Sequence, residues 1–260
     1  QRMAHTVIAR ARLAGDHLQH FELIYQAEQQ FYRQNSNHVG SRIVFDHEGY
    51  LYFSIGDRSQ GDSAQNVDFP GGKIHRLHDD GRVPEDNPFV DIPGAVVSIW
   101  SYGHRNSQGL AVDPDTGTIW STEHGPKGGD ELNMIRKGMN YGWPAISYGI
   151  NYDGTTITDL THHEGMQQPV WYWTPSIAVC GIDFYHADRF SHWNENLLVT
   201  ALGFKQLRRV SIEAERVIHE EVVYEPESRV RDVETGPDGL IYVALEGPGR
   251  VVRLVPIESD

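Results

Sequence analysis

The stretch RIVFDHEGYLYFSIGD (42–57) is two apolar runs joined by Asp-His-Glu-Gly. Its β-branched and aromatic residues suit strands, and a turn rich in Asp and Gly lets the chain reverse at once, because these residues tolerate positive φ. The phrase returns as GLAVDPDTGTIWSTEHG (109–125), GIDFYHADRFSHWNENLLVTALG (181–203) and DVETGPDGLIYVALEG (232–247). Each is a strand, a tight polar turn, and a second strand ending in a loop of small residues. Such repetition reads as the blades of a β-propeller, and weighs against a β-sandwich. An opening strand pair is expected within 5–28. Helical periodicity is nearly absent, and short helices are expected only around Asp130–Lys137 and His186–Trp193. The expectation is an all-β chain, one propeller domain over 1–260 with about four to five blades, whose closed ring needs a further N-terminal portion.

Charge and motifs exclude several functions. Lys plus Arg number 22 against 36 Asp plus Glu, a net −14, which disfavours nucleic acid and anionic membrane surfaces as partners. A single cysteine, Cys180, leaves no intrachain disulfide and no paired-cysteine metal knuckle. No apolar run approaches the roughly 18 residues of a membrane helix. The glycine-rich phosphate loops, the GxSxG elbow and HExxH are all missing. Of the histidines, the i, i+3 pairs His17/His20 and His75/His78 point to opposite faces of a strand and do not converge on a metal.

The loop ends carry the chemistry. His38 stands just before a strand and Asp57 just after its hairpin partner, so the two can meet at one sheet end. There the carboxylate either makes the imidazole a general base or forms a structural hydrogen bond. His104, Arg105 and Asn106 share a loop, where Arg and Asn offer fixed donors to a carboxylate or a developing oxyanion, or pin blade-loop carbonyls. In EHGPKGGDELN (123–133), Pro126 and its neighbouring glycines turn carbonyls outward beside Asp130 and Glu131. That environment suits calcium, or a glycine-rich turn opening a short helix capped by Asp130. Arg229 and Arg231, at i, i+2, are expected on one strand face, for a polyanion or for local salt bridges. WYWTPS (171–176) offers aromatic area for a flat ligand or for the core.

The order GHRNSQGLAVDPDTG, EHGPKGGDELN, NYGWP (140–144), WTPSIA and RVRD resembles the soluble quinoprotein aldose and glucose/sorbosone dehydrogenase family, from about residue 5 to the end. The resemblance implies a six-bladed β-propeller binding pyrroloquinoline quinone (PQQ) with calcium. It implies a periplasmic or secreted enzyme that oxidises aldose sugars at C1 to lactones and passes electrons to a separate acceptor. By resemblance His38 is the base, Asp57 holds it, and Arg105 and Asn106 contact the cofactor, Arg105 near the quinone oxygen. Carbonyls of Gly125 and Pro126 are calcium ligands with Asp130 beside them. Arg229 and Arg231 bind cofactor carboxylates, and Trp173, Thr174 and Ser176 line it. Gly203 stands where many relatives carry a cofactor-contacting lysine. Two other readings are a non-catalytic propeller binding sugar or protein, and a calcium-dependent lactone hydrolase, which needs carboxylates around the metal.

Overall fold

The computed structural model describes residues 3–34 and 37–257. A hairpin of β1 (Val7–Ala14) and β2 (His17–Gln26) opens the chain. A four-stranded sheet follows: β3 (Ile43–Phe45), β4 (Leu51–Ile55), β5 (Lys73–Leu77) and β6 (Ile99–Tyr102). The second sheet is β7 (Ser107–Val112), β8 (Ile119–Glu123), β9 (Asp130–Ile135) and β10 (Trp171–Trp173). The third is β11 (Val179–Tyr185), β12 (Asn196–Ala201), β13 (Gln206–Glu213) and β14 (Arg216–Tyr224). The last described sheet is β15 (Arg229–Thr235), β16 (Ile241–Glu246) and β17 (Arg250–Leu254). Neighbours within every sheet are consecutive and antiparallel. The first strands pack side by side, β3 on β7, β7 on β11 and β11 on β15. This is an all-β propeller, and the four repeated phrases are the two leading strands of the four blades among the described residues.

The turns fold as their side chains dictate. Asp46 Oδ1 accepts the backbone N–H groups of Glu48 and Tyr50, and Asp113 Oδ1 those of Asp115 and Thr116. Gly49 and Gly117 close these turns at φ +83° and +71°, where a Cβ is disfavoured. Between the sheets lie apolar layers: Tyr52, Ile74, Leu110 and Ile119 between the first and second, then Trp120, Leu132, Ile182 and Leu197, then Tyr185, Leu198, Val230 and Val243. Sheets covered on both faces explain why all five residues of LYFSI are buried. Each such side chain contributes about 1.5–3 kcal/mol.

Two helical expectations fail. Asp130–Ile135 is strand β9, paired residue for residue with β8, and it buries Asp130 and Asn133. Ladder bonds and side-chain acceptors inside the protein outweigh its polar, helix-like sequence. His186–Trp193 contains turns, one held by Phe190 N–H donating to Tyr185 Oη at 2.9 Å. Arg42, just before β3, ties the ring of first strands: its Nη1 meets Asp232 of β15 at 2.6 Å, and its Nε donates to the Gln108 carbonyl of β7.

His75 on β5 is fully buried, stacked on Phe53 with centroids 4.8 Å apart. Its Nε2 lies 2.9 Å from the Pro70 carbonyl and its Nδ1 3.0 Å from Ser98 Oγ, which suits a neutral ring donating at Nε2. Burial drags its pKa from 6.5 down to about 3. Between those values the unfolded chain takes up a proton that the folded chain refuses, so stability falls as pH drops through this window, by up to about 1.4 kcal/mol per pH unit. Urea melts across the window are expected to show a shallower acid loss in His75→Gln than in the parent; equal slopes contradict the assignment.

Candidate active site

In an antiparallel blade, the entry to the first strand and the exit from the second lie at the same end. His38 precedes β3 and Asp57 follows β4, and they meet: Nδ1 of His38 is 2.6 Å from Asp57 Oδ1. The side chain of Asp57 is 2% exposed and that of His38 22%, so the carboxylate lies behind an imidazole that reaches outward. Asp57 also accepts the backbone N–H of Ser59 at Oδ1 and the indole N–H of Trp143 at Oδ2, both at 2.8 Å. A carboxylate so bonded stays an acceptor, which assigns the proton to Nδ1 of His38 and leaves the Nε2 lone pair for an incoming O–H. The backbone is held in unusual conformations here, with φ of 46° at His38, 57° at Arg58 and 60° at Ser59. Such strain, about 1–3 kcal/mol per residue, persists where surrounding contacts fix it.

The next blade supplies Arg105, 5% exposed. Its Nη1 donates to the carbonyls of His124 and Gly125 at 3.1 and 2.8 Å, and its own carbonyl accepts the Asp57 N–H at 2.8 Å. Asn106 Oδ1 accepts from Gly40 N and Gln108 Nε2, so its amide oxygen orders the loop of His38. His104 repeats the histidine–carboxylate motif with Glu123 at 2.9 Å, but its side chain is 1% exposed and Ser101 Oγ occupies its other nitrogen. That pair is structural.

The loop Gly125–Gly129 folds back on itself so tightly that a Cβ at Gly125 would stand 2.3 Å from the Gly128 and Gly129 carbonyls. Asp130 accepts from Gly125 N, Ser176 Oγ and Val179 N. It therefore staples the second blade to the third, and Ser176 serves that staple rather than facing outward. Glu131 is pushed up to about 8 by burial and then by Glu123, its cross-strand partner. Both carboxylate oxygens of Asp130 are occupied, Glu131 accepts from the Asn133 amide, and the Gly125 carbonyl already takes an Arg105 N–H. Among the described residues no group of three or more His, Cys, Asp or Glu side chains is placed to hold a metal. The donors that fit a calcium ion here are thus reduced to backbone carbonyls of Gly125 and Pro126.

The other expected residues divide. Trp173 is 6% exposed, packs in the core between blades with its indole N–H donating to Glu220 at 2.7 Å, and also borders a surface cavity together with Thr174 and Ile177. Thr174 is exposed, with Oγ1 accepting Gly129 N–H at 3.2 Å. Arg229 pairs with Glu246 across the β15–β16 ladder, and Arg231 reaches the same Glu246 although the register shifts between Val230 and Asp232. Arg229 is exposed; Arg231 bonds Glu246 at 2.6 Å and approaches the thiol of buried Cys180 at 3.6 Å. Burial pushes that thiol's pKa up. A Cβ on Gly203 would lie 2.9 Å from the Ile177 carbonyl, so this backbone has little room for the lysine of relatives, and Lys205 is exposed. Sequence reasoning missed Arg42, Asp232 and Trp143; only the NYGWP motif hinted at the last.

The donor set fits an anionic quinone better than it fits a metal. Arg105, Arg229, Arg231 and Arg42 lie at strand entries on an acidic chain, and the buried Arg105 Nε and His124 Nε2 have no hydrogen-bond partner among the described residues. Gly56 is what lets His38 close on this site: a Cβ there would stand 2.2 Å from the His38 carbonyl and 2.8 Å from Asn106 Oδ1. Gly56→Ala is expected to lose about 1–3 kcal/mol of stability and to displace the His38 ring signals in NMR spectra. Unchanged stability and spectra contradict this packing.

Comparison with known proteins agrees with this architecture. The family model for glucose/sorbosone dehydrogenase matches residues 1–253. The aldose sugar dehydrogenase YliI of Escherichia coli K12 is 43% identical over 224 residues, covering 85% of this chain and 60% of that relative. The chain thus spans less than two thirds of that relative's length. The crystal structure of the soluble aldose sugar dehydrogenase from Escherichia coli in its apo form superposes with a TM-score of 0.92 at 39% identity, covering 96% of this chain and 74% of that one. The PQQ-bound aldose sugar dehydrogenase of Streptomyces coelicolor gives a TM-score of 0.74 at 27% identity, covering 97% and 72%. On its sequence, its blades and the order of its loop motifs, the chain belongs to the glucose/sorbosone dehydrogenase family.

Proposed function

We propose that the protein is a PQQ-dependent dehydrogenase that oxidises aldose sugars at C1 to lactones. The observation that carries this reading is the His38–Asp57 pair, half-open at the loop end of the blades with Arg105 one blade away. The Nε2 lone pair of His38 takes the proton of the sugar C1 hydroxyl while the C1 hydrogen leaves as hydride, which makes the C1–O bond a carbonyl and the ring a lactone. PQQ, when bound, is the hydride acceptor, and a separate electron acceptor later reoxidises it. Asp57 holds the imidazole in the required tautomer and stabilises the imidazolium. Arg105, with Asn106 ordering its loop, places fixed positive charge where an oxygen gains electrons. Arg229 and Arg231 match cofactor carboxylates in charge, and Thr174 borders the Gly129 loop. Calcium held by the Gly125 and Pro126 carbonyls belongs to the proposal, as does a periplasmic or secreted location; no helix among the described residues is long and apolar enough to cross a membrane.

The saturated Asp130 disfavours the lactone hydrolase, which needs free carboxylates. Purified chain supplied with PQQ and calcium is expected to reduce a dye in the presence of glucose or another aldose. His38→Gln is expected to lower kcat by about 10²–10⁴. Tight quinone binding with no sugar-dependent reduction favours the non-catalytic propeller, and absence of quinone binding overturns the site.

A further inference from the structure

The NYGWP motif sends one side chain from the second blade into the site of the first. Trp143 follows β9, yet its Nε1–H donates to Asp57 Oδ2 at 2.8 Å. The face of the same indole lies 5.3 Å from the guanidinium carbon of Arg105. The ring is held from behind: Trp143 N donates to the Gly103 carbonyl at 2.8 Å, and its carbonyl accepts Gln65 Nε2 at 2.7 Å. Gln65 is fixed in turn by two hydrogen bonds between its side-chain amide and that of Asn140, the first residue of the motif. Gly61 leaves room for the indole, since a Cβ there would stand 3.3 Å from Nε1.

We infer that Trp143 is the positioning residue of the base: its N–H fixes one oxygen of Asp57 so that the other is presented to Nδ1 of His38, and its ring couples this pair to Arg105. A buried carboxylate with one free oxygen has a second rotamer available and a second site to offer the imidazole. The indole N–H on Oδ2, with the Ser59 N–H on Oδ1, closes that option. A cation over the ring face polarises the indole and strengthens its N–H as a donor, so the charge of Arg105 reaches Asp57 through Trp143. The two elements, on different blades, are thereby set by one side chain.

The rate arm of the test rests on the dehydrogenase reading; the spectroscopic arm does not. Trp143→Phe keeps a ring beside Arg105 and removes the N–H. It is expected to lower kcat about 10- to 100-fold while leaving the aldose KM and the PQQ dissociation constant within about twofold, as an orientation effect does. In the protein without cofactor, ¹⁵N spectra of His38 are expected to change from a single Nδ1–H tautomer in the parent to a mixture in the variant. Trp143→Ala, which also removes the ring, is expected to weaken PQQ binding in addition. A Phe variant with parental kcat, or with an unmixed His38 tautomer, overturns the inference. So does a rate loss in that variant accompanied by equal loss of PQQ affinity, which marks general disruption of the site. If the parent oxidises no aldose, the dehydrogenase reading fails and the tautomer alone decides for or against Trp143.

Discussion

The buried carboxylate of Asp57 is the constraint around which the candidate site is organised. A charge withdrawn from water in this way is tolerable only when its lone pairs are taken. Three N–H groups take them, from His38, Ser59 and Trp143. Each donor arrives from a different piece of chain: the entry to β3, the exit from β4, and the connection after β9. Satisfying one carboxylate therefore fixes the mutual position of three loops. Its surroundings turn a common structural bond into a poised one. The His104–Glu123 pair has the same chemistry but is sealed, and Ser101 occupies the nitrogen that a substrate would need.

The blades bring the remaining groups to the same end because each is an antiparallel sheet entered and left there. Buried polar bonds then lock one blade to the next. Arg42 joins the first, second and fourth through the Gln108 carbonyl and Asp232, and Asp130 joins the second and third through Ser176 and Val179. These bonds lie at loop ends, whereas the apolar layers lie between the sheets. Packing thus sets the spacing of the blades, and polar bonds set the register of their loops. In a chain of net charge −14, two of the arginines at strand entries are already paired with carboxylates, Arg42 with Asp232 and Arg231 with Glu246.

The leading two strands of each blade were legible because their residues are buried on both faces and their turns carry Asp and Gly. Among the outer strands, KIHRL of β5, LRRVSI of β13 and VVRLV of β17 were legible too, whereas β6, β9, β10 and β14 were not. DELNMI of β9 reads as a capped helix because it buries polar groups whose partners, Gly125, Ser176 and Val179, lie elsewhere in the chain. RVIHEEVVY of β14 is an outer strand with charged residues through its middle, and WYW of β10 has three residues. The closeness of His38 to Asp57 follows from hairpin geometry and could be read from spacing. The pairing of Arg42 with Asp232, 190 residues apart, has no local signal. The register shift between Val230 and Asp232 had no local signal, because a bulge is a property of the ladder, which one strand's sequence does not reveal. The acceptor of the Trp173 indole, Glu220 on the neighbouring blade, likewise had no local signal.

The most direct test of this account is a crystal structure of the chain with PQQ, calcium and an aldose. The account predicts the sugar C1 hydroxyl against Nε2 of His38, with Asp57 still bonded at Nδ1 and the quinone beside Arg105. A quinone bound elsewhere, or a His38 ring turned away from the sugar, would contradict it.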